Sequence, residues 1–274
     1  LTRTSVSDAL FNGLGLKLYS LNPDKPNERS SQNLHIYIQC FGCNSDDMLI
    51  TDNTHQYDSM IWSPDGSLIG AVRDDTELVL IDPVGGTERS LSTGDISNRD
   101  LSWSPDGLEI AYRDLGALKG VEVANGSVRT IVKSSEIQSG YDSYPDVNDI
   151  SWSPTGEYLG FWTRMSRNGG NDESGWTLWT VKEDGSDLTP YAPPDGYGYM
   201  GFAWVEGEDA FVFYRFTLDS ADNRGPYELM MGELFTGEIK LRTTGYNTRR
   251  ECYYPQIKSC SSSGFCGCYV WDRD

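Results

Sequence analysis

Trp62-Ser63-Pro64-Asp65-Gly66 is the stretch that decides the fold, because the chain says it again. Trp103-Ser104-Pro105-Asp106-Gly107 and Trp152-Ser153-Pro154-Thr155-Gly156 follow at intervals of 41 and then 49 residues. A phrase that recurs every 40–50 residues or so marks a repeat architecture. Its chemistry is that of a hairpin turn. Proline presets φ for the second turn position, aspartate tolerates the third, and glycine accepts the positive φ that rejoins the strands through a bulge.

The residues around each phrase alternate as strands do. Ile69, Ile110 and Leu159 follow the turns, and Ala71, Tyr112 and Phe161 come two residues later. The residue between is always small (Gly70, Ala111, Gly160), which lets a neighbouring sheet approach. Third-strand runs follow at Leu78-Val79-Leu80-Ile81, Val121-Glu122-Val123 and Trp176 to Val181, and short closing strands after them. Four strands per ~45 residues is the blade of a β-propeller. A degenerate unit opens at Trp204, with Glu206-Gly207-Glu208 as its turn. Another stands first, with Asn12-Gly13 as its turn, and a last one starts at Tyr254 and has only two strands. The predicted fold is therefore an all-β propeller of about six blades, five complete and a C-terminal half. The expected blade boundaries are 4–52, 56–93, 98–133, 147–191 and 200–244, with a partial blade over 252–274, in a single domain spanning 1–274.

The phrase and the strands after it resemble the WD40-like (PD40) repeat of TolB-type β-propellers, in which W-S-P-D-G is followed by I-A-F, a third strand and a short closing strand. The match is good over Trp62–Ser92 and Trp103–Val132 and fair over Trp152–Tyr191. The resemblance implies blade architecture and leaves activity open.

Composition narrows the function classes. Forty-one acidic residues against 22 basic ones give a net charge of −19. That balance argues against nucleic acid, whose phosphates need a basic face. No apolar run is long enough to span a bilayer. The chain begins at Leu1 rather than Met, so a processed chain whose leader has been removed is expected. All six cysteines lie near the ends: Cys40 and Cys43, then Cys252, Cys260, Cys266 and Cys268. An even count suggests disulfides in an oxidising compartment, with connectivity open. Zinc is disfavoured, because Cys40-Phe41-Gly42-Cys43 lacks a second C-x-x-C and the only histidines are His35 and His55. Asn125-Gly126-Ser127 is the one N-x-S/T sequon and a candidate N-glycosylation site.

No catalytic constellation emerges. There is no G-x-S-x-G elbow. His35 reads as a strand residue on a solvated polar face, and His55 as part of a loop entering the second blade. Gly196-Tyr197-Gly198-Tyr199-Met200-Gly201 spells G-x-G-x-x-G, but Pro193-Pro194 precedes it and a β-run follows, so it reads as a connecting loop. Asp142 to Asp149 is oxygen-rich without the spacing of a calcium loop; calcium is the only cofactor entertained, and none is expected.

Binding would fall on the rim formed by inter-blade and second-to-third-strand loops. The expected long ones are Asn22–Asn33, Ser134–Asn148, Arg164–Gly175, Pro190–Met200 and Thr217–Pro226. Tyr141, Asp142, Tyr144, Asp146, Tyr197 and Tyr199 are the candidate rim residues. The half blade leaves an open edge for further chain or another subunit. The expected function is a non-enzymatic, extracellular or secreted scaffold or protein-interaction module, with a protein partner or self-assembly. The periplasm or cell surface is the alternative location. A carbohydrate-active enzyme or a glycan-binding lectin is the alternative function.

Overall fold

The computed structural model describes residues 9–11, 16–21, 35–40, 48–51, 55–94, 96, 100–137, 146–164, 176–208, 210–218, 224–234 and 237–246. They form five four-stranded antiparallel sheets, each an uninterrupted meander in chain order. Contacts group the chain into two compact units, Leu1–Glu136 with Ile150–Trp152, and Ile137–Asp149 with Ser153–Asp274.

Three sheets lie in the first unit. The first holds β1 (Ala9–Phe11), β2 (Leu16–Leu21), β3 (His35–Cys40) and β4 (Met48–Leu49). The second holds β5 (Tyr57–Trp62), β6 (Ile69–Arg73), β7 (Glu77–Asp82) and β8 (Thr87–Thr93). The third holds β9 (Leu101–Trp103), β10 (Glu109–Asp114), β11 (Ala117–Glu122) and β12 (Val128–Val132), with a single helical turn, α1 (Ser134–Ile137), after it. The fourth sheet has β13 (Asp146–Trp152), β14 (Tyr158–Arg164), β15 (Trp176–Lys182) and β16 (Thr189–Tyr191). The fifth has β17 (Tyr197–Trp204), β18 (Ala210–Leu218), β19 (Arg224–Glu233) and β20 (Ile239–Tyr246). The expected half blade from residue 252 onward lies outside the described residues.

Alternation along the inner strands feeds two cores at once. Val79 and Ile81 of β7 pack with Ile36, Ile38, Ile69 and Ala71 toward the first sheet. Leu78 and Leu80 pack with Trp103, Ile110 and Tyr112 of the third. A strand covered on both faces reads as a continuous apolar run, which is what Leu78 to Ile81 is. The small residues in the second strands behave as expected. A Cβ placed on Gly70 would lie 3.1 Å from Ile110 Cδ1 and 3.4 Å from Trp103 Nε1 of the next sheet. Gly160 of β14 stands likewise against the Phe202 ring of β17. Polar bonds add to these seams: Ser92 and Tyr112 share a 2.8 Å hydroxyl bond, and the Trp152 N–H donates to Ser102 Oγ at 3.1 Å.

The repeated phrase folds around its serine. Ser104 is buried, donates its hydroxyl to Asp106 Oδ1 (2.6 Å) and accepts the Glu109 N–H (2.9 Å), so one oxygen closes the hairpin from inside. Ser63 does the same with Asp65 and the Leu68 N–H. Ser153 reaches only Thr155 Oγ1 at 3.1 Å and the Tyr158 N–H at 3.1 Å. The turn glycines Gly66, Gly107 and Gly156 hold φ of 73°, 74° and 78°.

Ser104→Ala is expected to destabilise the protein by about 1–3 kcal/mol, because it leaves the half-buried Glu109 N–H without its acceptor and removes a donor from Asp106 Oδ1. The Ser104 bond, followed by the Leu108 N–H, holds the Asp106 carboxyl below its ordinary value against the upward pull of burial. A depressed carboxyl stabilises the fold above its unfolded pKa, and that contribution disappears as pH falls through the folded value. The loss from Ser104→Ala should therefore shrink below about pH 4 in urea titrations at a series of pH values. A pH-independent loss would show that the Asp106 bond contributes nothing.

Two connections in the second unit, expected over Pro190–Met200 and Thr217–Pro226, are shorter than expected. Tyr197 to Met200 belong to β17, so the G-x-G-x-x-G run is strand rather than connecting loop. A register shift between Met200 and Phe202 absorbs the extra residue, Gly201, and lets pairing with β18 continue. Likewise β18 runs on to Leu218 and β19 starts at Arg224, inside the stretch expected to be loop.

Candidate functional site

Position along the blade, rather than any motif, gives the polar groups a common setting. Eleven residues past Trp62, Trp103, Trp152 and Trp204 stand Arg73, Asp114, Thr163 and Arg215, toward the end of each second strand. Each reaches the third strand of its own sheet. Arg73 Nε donates to Glu77 Oε2 at 3.0 Å, and its guanidinium also pairs with Glu88, which accepts the Tyr57 hydroxyl at 2.8 Å. Asp114, mostly buried, pairs with Lys119. Thr163, wholly buried, accepts the Trp179 indole N–H at 2.7 Å. Arg215 Nε donates to Glu228 Oε2 at 2.7 Å. Burial works to lower the Arg73 pKa, but Glu77 and Glu88 outweigh it and hold the guanidinium above its ordinary value. Ser90 first, then Arg73, keep the Glu77 carboxyl below its own.

His55 stands near Arg73 in the second sheet. Its Nδ1 lies 2.6 Å from Asp74 Oδ2, while Asp74 Oδ1 accepts the Gln56 N–H at 2.9 Å and the Asp74 N–H donates to Gln56 O at 2.9 Å. Asp74 and Asp75 both hold positive φ in the turn that makes this possible. Burial would raise the Asp74 carboxyl, yet the Gln56 and His55 bonds bring it down. The pair clips the loop before β5 to the turn after β6, a structural use for a histidine that the sequence places only in a loop.

His35 does not sit on a solvated face. It is 5% exposed at the start of β3, with Nδ1 buried and without a hydrogen-bond partner among the described residues. Ile36 beside it, on the opposite face of the strand, is buried as well, so β3 has no solvated side at its start. Tyr199 is another correction. It is 5% exposed and lies 4.7 Å, centroid to centroid, from Phe213, so it belongs to the core. Burial raises its pKa, with Arg215 opposing. Two residues nearer the strand's start, Tyr197 stays half-buried with the Arg215 guanidinium 4.9 Å above its ring. Asp146 begins β13, with its side chain outside the described residues; Tyr141, Asp142 and Tyr144 lie wholly outside them. So do Cys43, Cys252, Cys260, Cys266, Cys268 and the side chain of Cys40. Asn125 is exposed in the turn between β11 and β12.

An open groove of about 470 Å³ in the second unit is lined by Tyr158, Thr180, Thr189 and Leu234. The Lys182–Asp187 ion pair, at 2.5 Å, lies along it. Among the described residues no cluster of three or more His, Cys, Asp or Glu could hold a metal ion. No helix among them is long and apolar enough to cross a membrane.

No protein-family model matches the sequence, and no curated protein matches it significantly. Solved structures do match in three dimensions. An oligogalacturonate lyase in complex with manganese superposes with a TM-score of 0.64 at 13% identity, over 87% of this chain and 64% of that one. The oligogalacturonate lyase of Vibrio parahaemolyticus gives 0.62 at 12% identity, over 89% of this chain and 68% of that one. TolB from Acinetobacter baumannii gives 0.53 at 17% identity, over 84% of this chain and 53% of that one. The chain thus spans just under two thirds of the first lyase and about half of TolB. At these identities the likeness is one of fold: the chain is built as a β-propeller of four-stranded antiparallel blades, similar to those of TolB and the two lyases.

Proposed function

We propose that this chain is a non-enzymatic extracellular propeller that serves as a scaffold or protein-interaction module within a larger assembly. One observation carries the reading. The charged and polar groups at the second-strand ends are engaged with partners in their own blades, from Arg73–Glu77 to Arg215–Glu228. Groups committed in this way tie together the strands of a single blade. The net charge of −19 favours solubility and a basic or cation-bridged partner. The end-clustered cysteines support an oxidising compartment. Tyr141, Asp142, Tyr144, Asp146 and Tyr197 are the residues assigned to partner contact.

The likeness to two oligogalacturonate lyases supports a second reading, a carbohydrate-active or glycan-binding propeller. Incubating the purified protein with polyuronates and probing a glycan array separates the two. The scaffold reading expects no turnover, and imaging of native material should show the chain within an assembly. Turnover abolished by a single Asp→Asn change on the rim would overturn it. Six free thiols by mass spectrometry without reductant would overturn the extracellular location.

A further inference from the structure

We propose that Asn125 carries an N-linked glycan, an inference that rests on the extracellular reading above. The turn between β11 and β12 presents the sequon in an ordered, exposed form. The Ser127 N–H donates to Asn125 Oδ1 at 2.7 Å, which closes an Asx turn and places the sequon serine directly beside the acceptor amide. Gly126 supplies the φ of 76° that the turn needs, and a Cβ there would lie 2.9 Å from the Leu91 carbonyl. The middle position of the sequon is therefore held as glycine for steric reasons, and the asparagine on its outer side is exposed.

The fold itself does not ask for an amide here. The fourth sheet makes the same turn with Asp184-Gly185-Ser186, where the Ser186 N–H donates to Asp184 Oδ1 at 2.8 Å. An acceptor oxygen suffices to build it. Asparagine adds only Nδ2, which donates to Glu122 Oε2 at 2.7 Å on the exposed surface. In the transfer, Nδ2 bonds to the anomeric carbon of a polyprenyl-phosphate-linked saccharide. The anomeric C–O bond breaks, the phosphate leaves with the electron pair, and Nδ2 gives one proton to a base of the transferase. The second Nδ2 proton remains available to Glu122.

The test is peptide mapping of protein isolated from the organism that makes it. Trypsin, cutting after Lys119 and after Arg129, releases the stretch from Gly120 to Arg129 as one peptide. Peptide N-glycosidase treatment in heavy-oxygen water should convert its Asn125 to labelled Asp. Expressed through a secretory pathway, the wild-type chain should show a heterogeneous mass that collapses on the same treatment. Asn125→Asp and Ser127→Ala should both lack that mass, and Ser127→Ala, which retains the Asx turn and the Glu122 bond, should keep the thermal midpoint of the enzymatically deglycosylated wild type. An unmodified Gly120-to-Arg129 peptide as the main species in native protein would overturn the proposal. The cysteine-containing peptides of the same digest report separately on the compartment: disulfides with a bare Asn125 sink only the glycan, whereas six free thiols sink the extracellular reading.

Discussion

Phe211→Ala is expected to cost about 3–5 kcal/mol of stability. Phe211 is fully buried and stands at the centre of an aromatic cluster. Its ring centroid lies 5.0 Å from Tyr191, 5.7 Å from Phe202, 6.0 Å from Phe213 and 6.2 Å from Trp204. Tyr191 belongs to the fourth sheet and the others to the fifth, so the cavity would open on the seam between two blades. Edge-to-face pairs contribute about 0.5–1.5 kcal/mol beyond the area they bury, and truncation removes two of them, with Tyr191 and Trp204. The backbone around the site is a sheet held by its own ladder, which limits collapse into the void. Urea denaturation followed by tryptophan fluorescence should show the midpoint falling with the slope unchanged. Phe211→Leu, which refills most of the space, should recover more than half of the loss. An alanine variant with a wild-type midpoint would mean that the cluster does not hold these blades.

Gly160→Val sets two effects of opposite sign against each other. Valine is a better strand former than glycine, by up to about 1 kcal/mol. Gly160 lies inside β14, paired with Thr180, and is not among the positive-φ glycines, so the backbone would accept valine. The opposing effect is contact. A Cβ at Gly160 would lie 2.7 Å from Phe202 Cε1, and Phe202 is itself braced edge-on by Trp204 at 5.0 Å. Overpacking of this kind costs about 1–3 kcal/mol, occasionally more, so sterics should win and the variant should be less stable. Phe202→Leu in the same chain should restore much of the loss, with a coupling energy of about 0.5–3 kcal/mol in the double-mutant cycle. Additive losses would show that the two residues do not share the seam.

The role of Gly70, Ala111 and Gly160 is legible in the sequence, because smallness at a fixed offset has few uses in a strand. The short loops of the second unit are not. Tyr197 to Gly201, and likewise Thr217, Leu218 and Arg224 to Pro226, look like loop material, yet they belong to strands of the fifth sheet, whose pairing carries bulges. A bulge depends on the partner strand, which a local reading does not contain. The candidate rim is legible only in part. Tyr197 stands out through its glycine-rich neighbourhood, whereas Arg73, Asp114, Thr163 and Arg215 share no local signal. Their residue types differ, and only the eleven-residue offset from the motif tryptophan links them.

What the sequence determined by itself is the blade. Proline, aspartate and glycine settle a hairpin within five residues, the serine ties it shut, and the repeat then counts the sheets. These are local interactions, complete inside a few turns of chain. Tertiary structure decided what each polar residue is for. His55 became a clip, His35 and Tyr199 became buried, and the second-strand ends became cross-strand pairs. Those outcomes depend on which strand or blade lies opposite, at sequence separations that reach 50 residues between Ser102 and Trp152, and no local pattern carries that information.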